Sequence, residues 1–172
     1  MTKNIENNTR NAIVKQTADA AHELAFDIYY RIGTKKETIK FHISQCVSGD
    51  IERSMCVKLS YNSCNVACLA IDIVRGRLGT SLLKTLATPQ VISKLENLAH
   101  LIQNESAHRG VPWADSLCKN YPVILRVMNG FVVSPTHFHA SVGLMLAGKA
   151  CWANVNFRFN GRKWQCTSCD FW

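Results

Sequence analysis

Apolar and polar positions alternate most sharply near the end of the chain. Val155, Phe157 and Phe159 are separated by Asn156 and Arg158, the period of a strand with one buried face. Asn160-Gly161 follows, a pair that tolerates positive φ in a type I′ hairpin turn. Residues 162–165 are the expected returning strand. Upstream the period lengthens to that of helices. Ile13, Ala20, Leu24, Ile28 and Ile32 predict a long amphipathic helix over residues 9–32, ended by Gly33. Val66, Leu69, Ala70, Ile73 and Val74 predict a second helix running to Gly76. Residues 81–86 form a short third helix, and Thr88-Pro89 supplies the cap and first-turn proline of a fourth over residues 89–103.

Residues 114–128 read as a helix broken by Pro122. Ser134-Pro135 repeats the cap signature and opens a helix over 136–149. Strands are expected at 36–44 and 55–61, with a helical reading of 51–61 as the alternative. The fold class that emerges is mostly α (α+β): a helical body with a helix-turn-helix-like segment and a C-terminal hairpin resembling a zinc ribbon. Three regions follow: 1–66, 67–150 and 151–172.

Composition places this pattern in a globular protein. The 172 residues are 47% hydrophobic and 19% charged, enough to bury a core and too apolar for disorder. No apolar run is long enough to span a membrane, and the N-terminus lacks the apolar core of a signal peptide. A cytoplasmic protein with reduced thiols is expected. The eight cysteines are then metal ligands or small core residues. Cys64 and Cys68 fall on an apolar helical pattern and read as buried thiols.

The net charge of +8 is unevenly spread. Residues 1–66 are nearly balanced, whereas no acidic residue lies between Asp115 and Asp170. That interval holds Lys119, Arg126, Lys149, Arg158, Arg162 and Lys163. A solvated face mixes both signs, so one sign over such a length points to a polyanion, most simply nucleic acid.

Two constellations carry chemistry. Cys166-x-x-Cys169, with Cys151 at the start of the hairpin, has the residue types of a tetrahedral Zn²⁺ site. The set needs a fourth ligand, because Asn154 stands where a first Cys-x-x-Cys knuckle would have its second cysteine. His139, His137 or Cys118 is expected to complete it. In the second constellation, the helix over 89–103 presents Gln90, Ser93, Lys94 and Asn97 as base-reading candidates. Arg75, Arg77 and Lys84 are phosphate contacts beside it, and Arg158, Arg162 and Lys163 grip backbone from the hairpin. The deaminase, metalloprotease, P-loop and dinucleotide-binding signatures are absent, and a non-enzymatic protein is expected.

Leu69-Ala70-Ile71-Asp72-Ile73-Val74, Gly76-Arg77-Leu78, the segment with Thr88, Leu95 and Leu98, Arg109-Gly110-Val111-Pro112-Trp113, and the terminal cysteines resemble the FlhC-type transcription activators. The resemblance spans residues 68–169. Asn154 departs from the family's four-cysteine cluster. About 65 residues precede the match, and the segment between Pro112 and Cys151 is shorter than the family's. The resemblance implies a DNA-binding activator containing zinc, working with a small FlhD-like helical partner and recruiting RNA polymerase. Beside that reading stand a non-catalytic nucleic-acid-binding subunit of a conjugation, transposition or RNA-guided complex, and a protein-interaction module.

Overall fold

A computed structural model describes residues 25–31, 38–46, 51–103 and 120–172. Its strands are β1 (Ala25–Arg31), β2 (Thr38–Gln45), β3 (Val123–Ser134), β4 (His137–Leu146), β5 (Lys149–Phe159) and β6 (Trp164–Phe171). They form one sheet in chain order, antiparallel throughout except for the parallel β2–β3 pair. A parallel pair requires a long crossover, and this one contains α1 (Arg53–Val74), a 3₁₀ turn (Thr80–Leu83) and α2 (Pro89–Gln103).

The helix α1 forms because Cys56, Leu59, Ser63, Val66, Ala67, Ala70, Ile71 and Val74 recur on one broad face, all of them buried. Two serines on that face are tolerated because their hydroxyls donate to carbonyls one turn back, Ser60 to Cys56 and Ser63 to Leu59, at 2.8 Å each. Gly76, at φ +75°, ends the helix. Its N–H reaches Ile73 O at 2.9 Å, and that of Arg77 reaches Asp72 O at 2.8 Å, the two bonds of a Schellman cap.

The buried face of α1 lies on the sheet's inner face. Phe41, Ile43, Met128, Phe138, Val142, Val155 and Phe157 contribute there, each wholly buried. Gly130 belongs to the same packing: a Cβ at that position would sit 2.7 Å from Cζ of Phe138. Among the described residues, the helix covers one side of the sheet and the other faces outward.

The structure replaces the expected helical body with a sheet of six strands carrying two α-helices among the described residues. The Pro89–Gln103 helix and the one ending before Gly76 stand, as do the strand at 38–44 and the terminal hairpin. Residues 51–61 follow the helical alternative. The expected helix over 9–32 is overturned at β1, and its first part lies outside the described residues. The expected helix over 114–128 gives way to β3 from Val123 onward. Its signal was masked by a bulge between Leu125 and Val127, which breaks the period of two.

The helix expected over 136–149 is instead β4, and its alternation is plain: His137, His139 and Ser141 outward, Phe138, Ala140 and Val142 inward. Ser134-Pro135 opens a hairpin, because a serine followed by proline suits a turn as well as a helix start. Ala147 and Gly148, both at positive φ, make the type I′ turn between β4 and β5. In the β5–β6 turn only Gly161 is left-handed. The sense there is that of a type II′ turn centred on Gly161-Arg162, one residue later than expected.

The terminal hairpin is no separate ribbon. Strand β5 pairs with β4 over Lys149–Arg158 and with β6 over Ala153–Phe159.

Candidate nucleic-acid interface

The residues expected to bind zinc do not converge. Cys151, Cys166 and Cys169 register with Leu144, Phe157 and Val155, on the inner face. His139 registers with Phe131 and Asn156 on the outer face, so the sheet lies between it and the thiols. Along β5, Cys151 stands four residues from Val155, the partner of Cys169, roughly 13 Å of strand. Thiolates sharing one zinc ion would lie about 4 Å apart. Among the described residues no group of three or more His, Cys, Asp or Glu side chains could hold a metal ion; Cys118 lies outside them.

The three cysteines are instead core residues. Burial pushes the Cys151 thiol up to about 11 and that of Cys166 to about 12, and it raises Cys169 well above its usual range. Their neutral thiols pack as small apolar groups. His137 and His139 lie on a strand, so residues two apart share a face. Nε2 of His137 and Nδ1 of His139 both meet Asn156 Oδ1, at 3.1 and 3.0 Å, and Asn156 donates in turn to Ser168 Oγ at 2.7 Å.

The cations expected on the helix-turn-helix segment are mostly spoken for. Arg75 is buried, donates from Nε to Asp72 Oδ1 at 2.7 Å, and reaches the Tyr121 carbonyl at 2.7 Å. Arg77 donates to the same carbonyl at 3.0 Å. Both tie the end of α1 to the chain entering β3. Lys94 pairs with Asp170 on β6, while Lys84 is exposed on the 3₁₀ turn's C-cap. The first helix of the expected motif is that four-residue turn. Gln90, Ser93, Lys94 and Asn97 do line one open groove along α2, of about 720 Å³, together with Leu98 and Leu101.

The stronger juxtaposition is at the β5–β6 turn. Asn160 Oδ1 accepts the backbone N–H groups of Arg162 and Lys163 at 3.0 Å each, an Asx arrangement that fixes the turn. Phe159 N–H donates to Thr136 O at 2.9 Å, anchoring the hairpin to the neighbouring turn. Phe159 and Trp164 face each other across the hairpin, ring centroids 5.7 Å apart.

Between this turn and the first turns of α1 lies a cleft of about 570 Å³. Its floor is apolar, from Ile51, Leu59 and Leu86, and its rim carries Lys58, Arg162 and Lys163 against one carboxylate, Glu52. The three cations are exposed and make no ion pair among the described residues. Arg158 is also exposed but stands on the outer side of β5, opposite His137. Phe157, two residues before Phe159 on β5, is wholly buried.

Lys58 is the residue sequence reasoning missed. The ambiguity of 51–61 hid it, although the helical reading places it on the exposed side of α1. Among the described residues no helix is long and apolar enough to cross a membrane. Comparisons of the chain with protein-family models, with curated proteins and with solved structures each returned no match.

Proposed function

We propose that this chain is a non-catalytic nucleic-acid-binding protein that holds an unpaired strand at the cleft between α1 and the β5–β6 turn. The observation that carries the reading is the meeting of Lys58, Arg162 and Lys163 with the Phe159–Trp164 pair around one opening. Cations there follow a phosphate backbone, and aromatic faces stack unpaired bases without regard to sequence. Duplex bases are already stacked, so a site built on stacking favours a single strand over a duplex.

Fluorescence anisotropy with single-stranded and duplex oligonucleotides of matched length tests this. The single strand is expected to bind more tightly. Trp164→Ala should weaken it by about 1–3 kcal/mol while barely changing duplex binding. Equal binding of both forms, indifferent to Trp164, would remove the proposal.

A second reading keeps sequence-specific duplex recognition, as in an activator working in a hetero-oligomer. The groove along α2 that gathers Gln90, Lys94 and Asn97 favours it. Its signature is loss of discrimination between duplex sequences in Gln90→Ala and Asn97→Ala, with the cleft variants behaving as wild type.

A further inference from the structure

We infer that His137, His139 and Asn156 form a binding site for one divalent transition-metal ion on the outer face of the sheet. Strand geometry builds it. Residues two apart on a strand share a face, so His137 and His139 set two imidazoles side by side on β4. The pairing of His139 with Asn156 brings a side-chain amide opposite them. Nε2 of His137 lies 3.1 Å from Asn156 Oδ1, and Nδ1 of His139 lies 3.0 Å from it. Two ligands at right angles, each about 2.1 Å from an ion, stand roughly 3.0 Å apart. Both nitrogens thus keep from the oxygen the spacing of neighbouring ligands on one octahedral ion.

The surrounding residues hold these donors in place. Asn156 Nδ2 donates to Ser168 Oγ at 2.7 Å, which leaves Oδ1 to the histidines. The ring of Phe131, the partner of His139 on β3, lies beside that imidazole, with centroids 5.9 Å apart. His137, His139 and Asn156 are half-buried, which leaves an ion a path in from solvent. A neutral imidazole binds an ion through one nitrogen and keeps its proton on the other. The protons then sit on Nδ1 of His137 and Nε2 of His139.

The donor types select the ion. The set has two imidazoles, one amide oxygen and no carboxylate. Arg158, the register partner of His137, adds positive charge beside it. Asp170, two residues beyond Ser168 on β6, is taken by Lys94. Mg²⁺ and Ca²⁺ are held by carboxylates and other oxygens, whereas imidazole suits Ni²⁺, Cu²⁺ and Zn²⁺. The cysteines contribute nothing here, since Cys151, Cys166 and Cys169 face the other side of the sheet.

The site is separate from the cleft, whose residues lie beside α1 and at the β5–β6 turn. Isothermal titration calorimetry of the full chain with Ni²⁺, and with Mg²⁺ for contrast, is the test. Ni²⁺ is expected to bind and Mg²⁺ is not. His137→Ala and His139→Ala should each weaken Ni²⁺ binding at least about tenfold. Asn156→Asp should tighten it about tenfold, because a carboxylate adds the charge that the amide lacks. That change is nearly isosteric, so the test does not rest on the histidine variants alone. A purely structural Asn156, which only accepts the two ring N–H groups, would give no such gain. The inference is overturned by a chain that takes up no Ni²⁺ at millimolar concentration, by binding that survives loss of both histidines, or by an Asn156→Asp variant that binds no tighter.

Discussion

Two regions of this molecule hold pairs of basic residues close in sequence, and they use them in opposite ways. At the end of α1, buried Arg75 and exposed Arg77 both bind Asp72 and the Tyr121 carbonyl, and Arg75 is 2% exposed. At the β5–β6 turn, Arg162 and Lys163 turn outward beside an aromatic pair and meet no carboxylate among the described residues. Basic side chains in a sequence are thus of two kinds. Those with a carboxylate and an unsatisfied carbonyl within reach become architecture; those without remain available to a ligand.

The comparison breaks most sharply at Arg75. Arg75→Ala should destabilise the fold by about 1–3 kcal/mol, because it removes a buried guanidinium and its bonds from Asp72 and the Tyr121 carbonyl, which then keep only Arg77. Urea unfolding measures this, and the protein that stays folded should bind oligonucleotide as before. Replacing Lys58, Arg162 and Lys163 together by alanine should do the reverse. Unfolding should change by less than about 0.5 kcal/mol for each surface substitution. Oligonucleotide affinity should fall at least tenfold, and the log–log salt slope should shrink by roughly 0.7 per lost contact on a single strand.

The inner-face thiols supply a pH test of the core against the surface. Their folded values lie above the ordinary value of 9.0, near 11 for Cys151 and near 12 for Cys166. The folded state therefore holds protons that the unfolded chain releases, and stability should decline as pH rises from about 9 towards 12. Thermal unfolding from pH 7 to 11 checks this, and Cys166→Ala should flatten the decline. The smallest effect belongs to Lys94. Its pair with Asp170 is about half-exposed at both ends, so Lys94→Ala should shift stability by less than about 1 kcal/mol.

Legibility followed the local period. Residues 155–159 and 89–103 each repeat one period without interruption, and both elements stand where that period puts them. Residues 137–146 also alternate, yet Ser134-Pro135 pulled the reading toward a helix, since a capping serine and a turn serine look alike until the neighbouring strand is known. The bulge at Arg126 hid β3 in the same way. The cleft was half legible: the acid-free stretch exposed Arg162 and Lys163, while Lys58 joins them from more than a hundred residues away.

The sequence by itself determined the helical stripes of α1 and α2, the hairpin at the end, and a one-signed charge between Asp115 and Asp170. These rest on contacts within a turn or two of the chain, which neighbouring residues fully specify. Only the tertiary structure decided that β4 and β5 lie inside a six-stranded sheet, with His139 on one face and Cys151, Cys166 and Cys169 on the other. Strand pairing depends on partners far along the chain. Which face a side chain takes is fixed by the layer that covers the sheet, here α1, and that choice kept the cysteines and histidines apart.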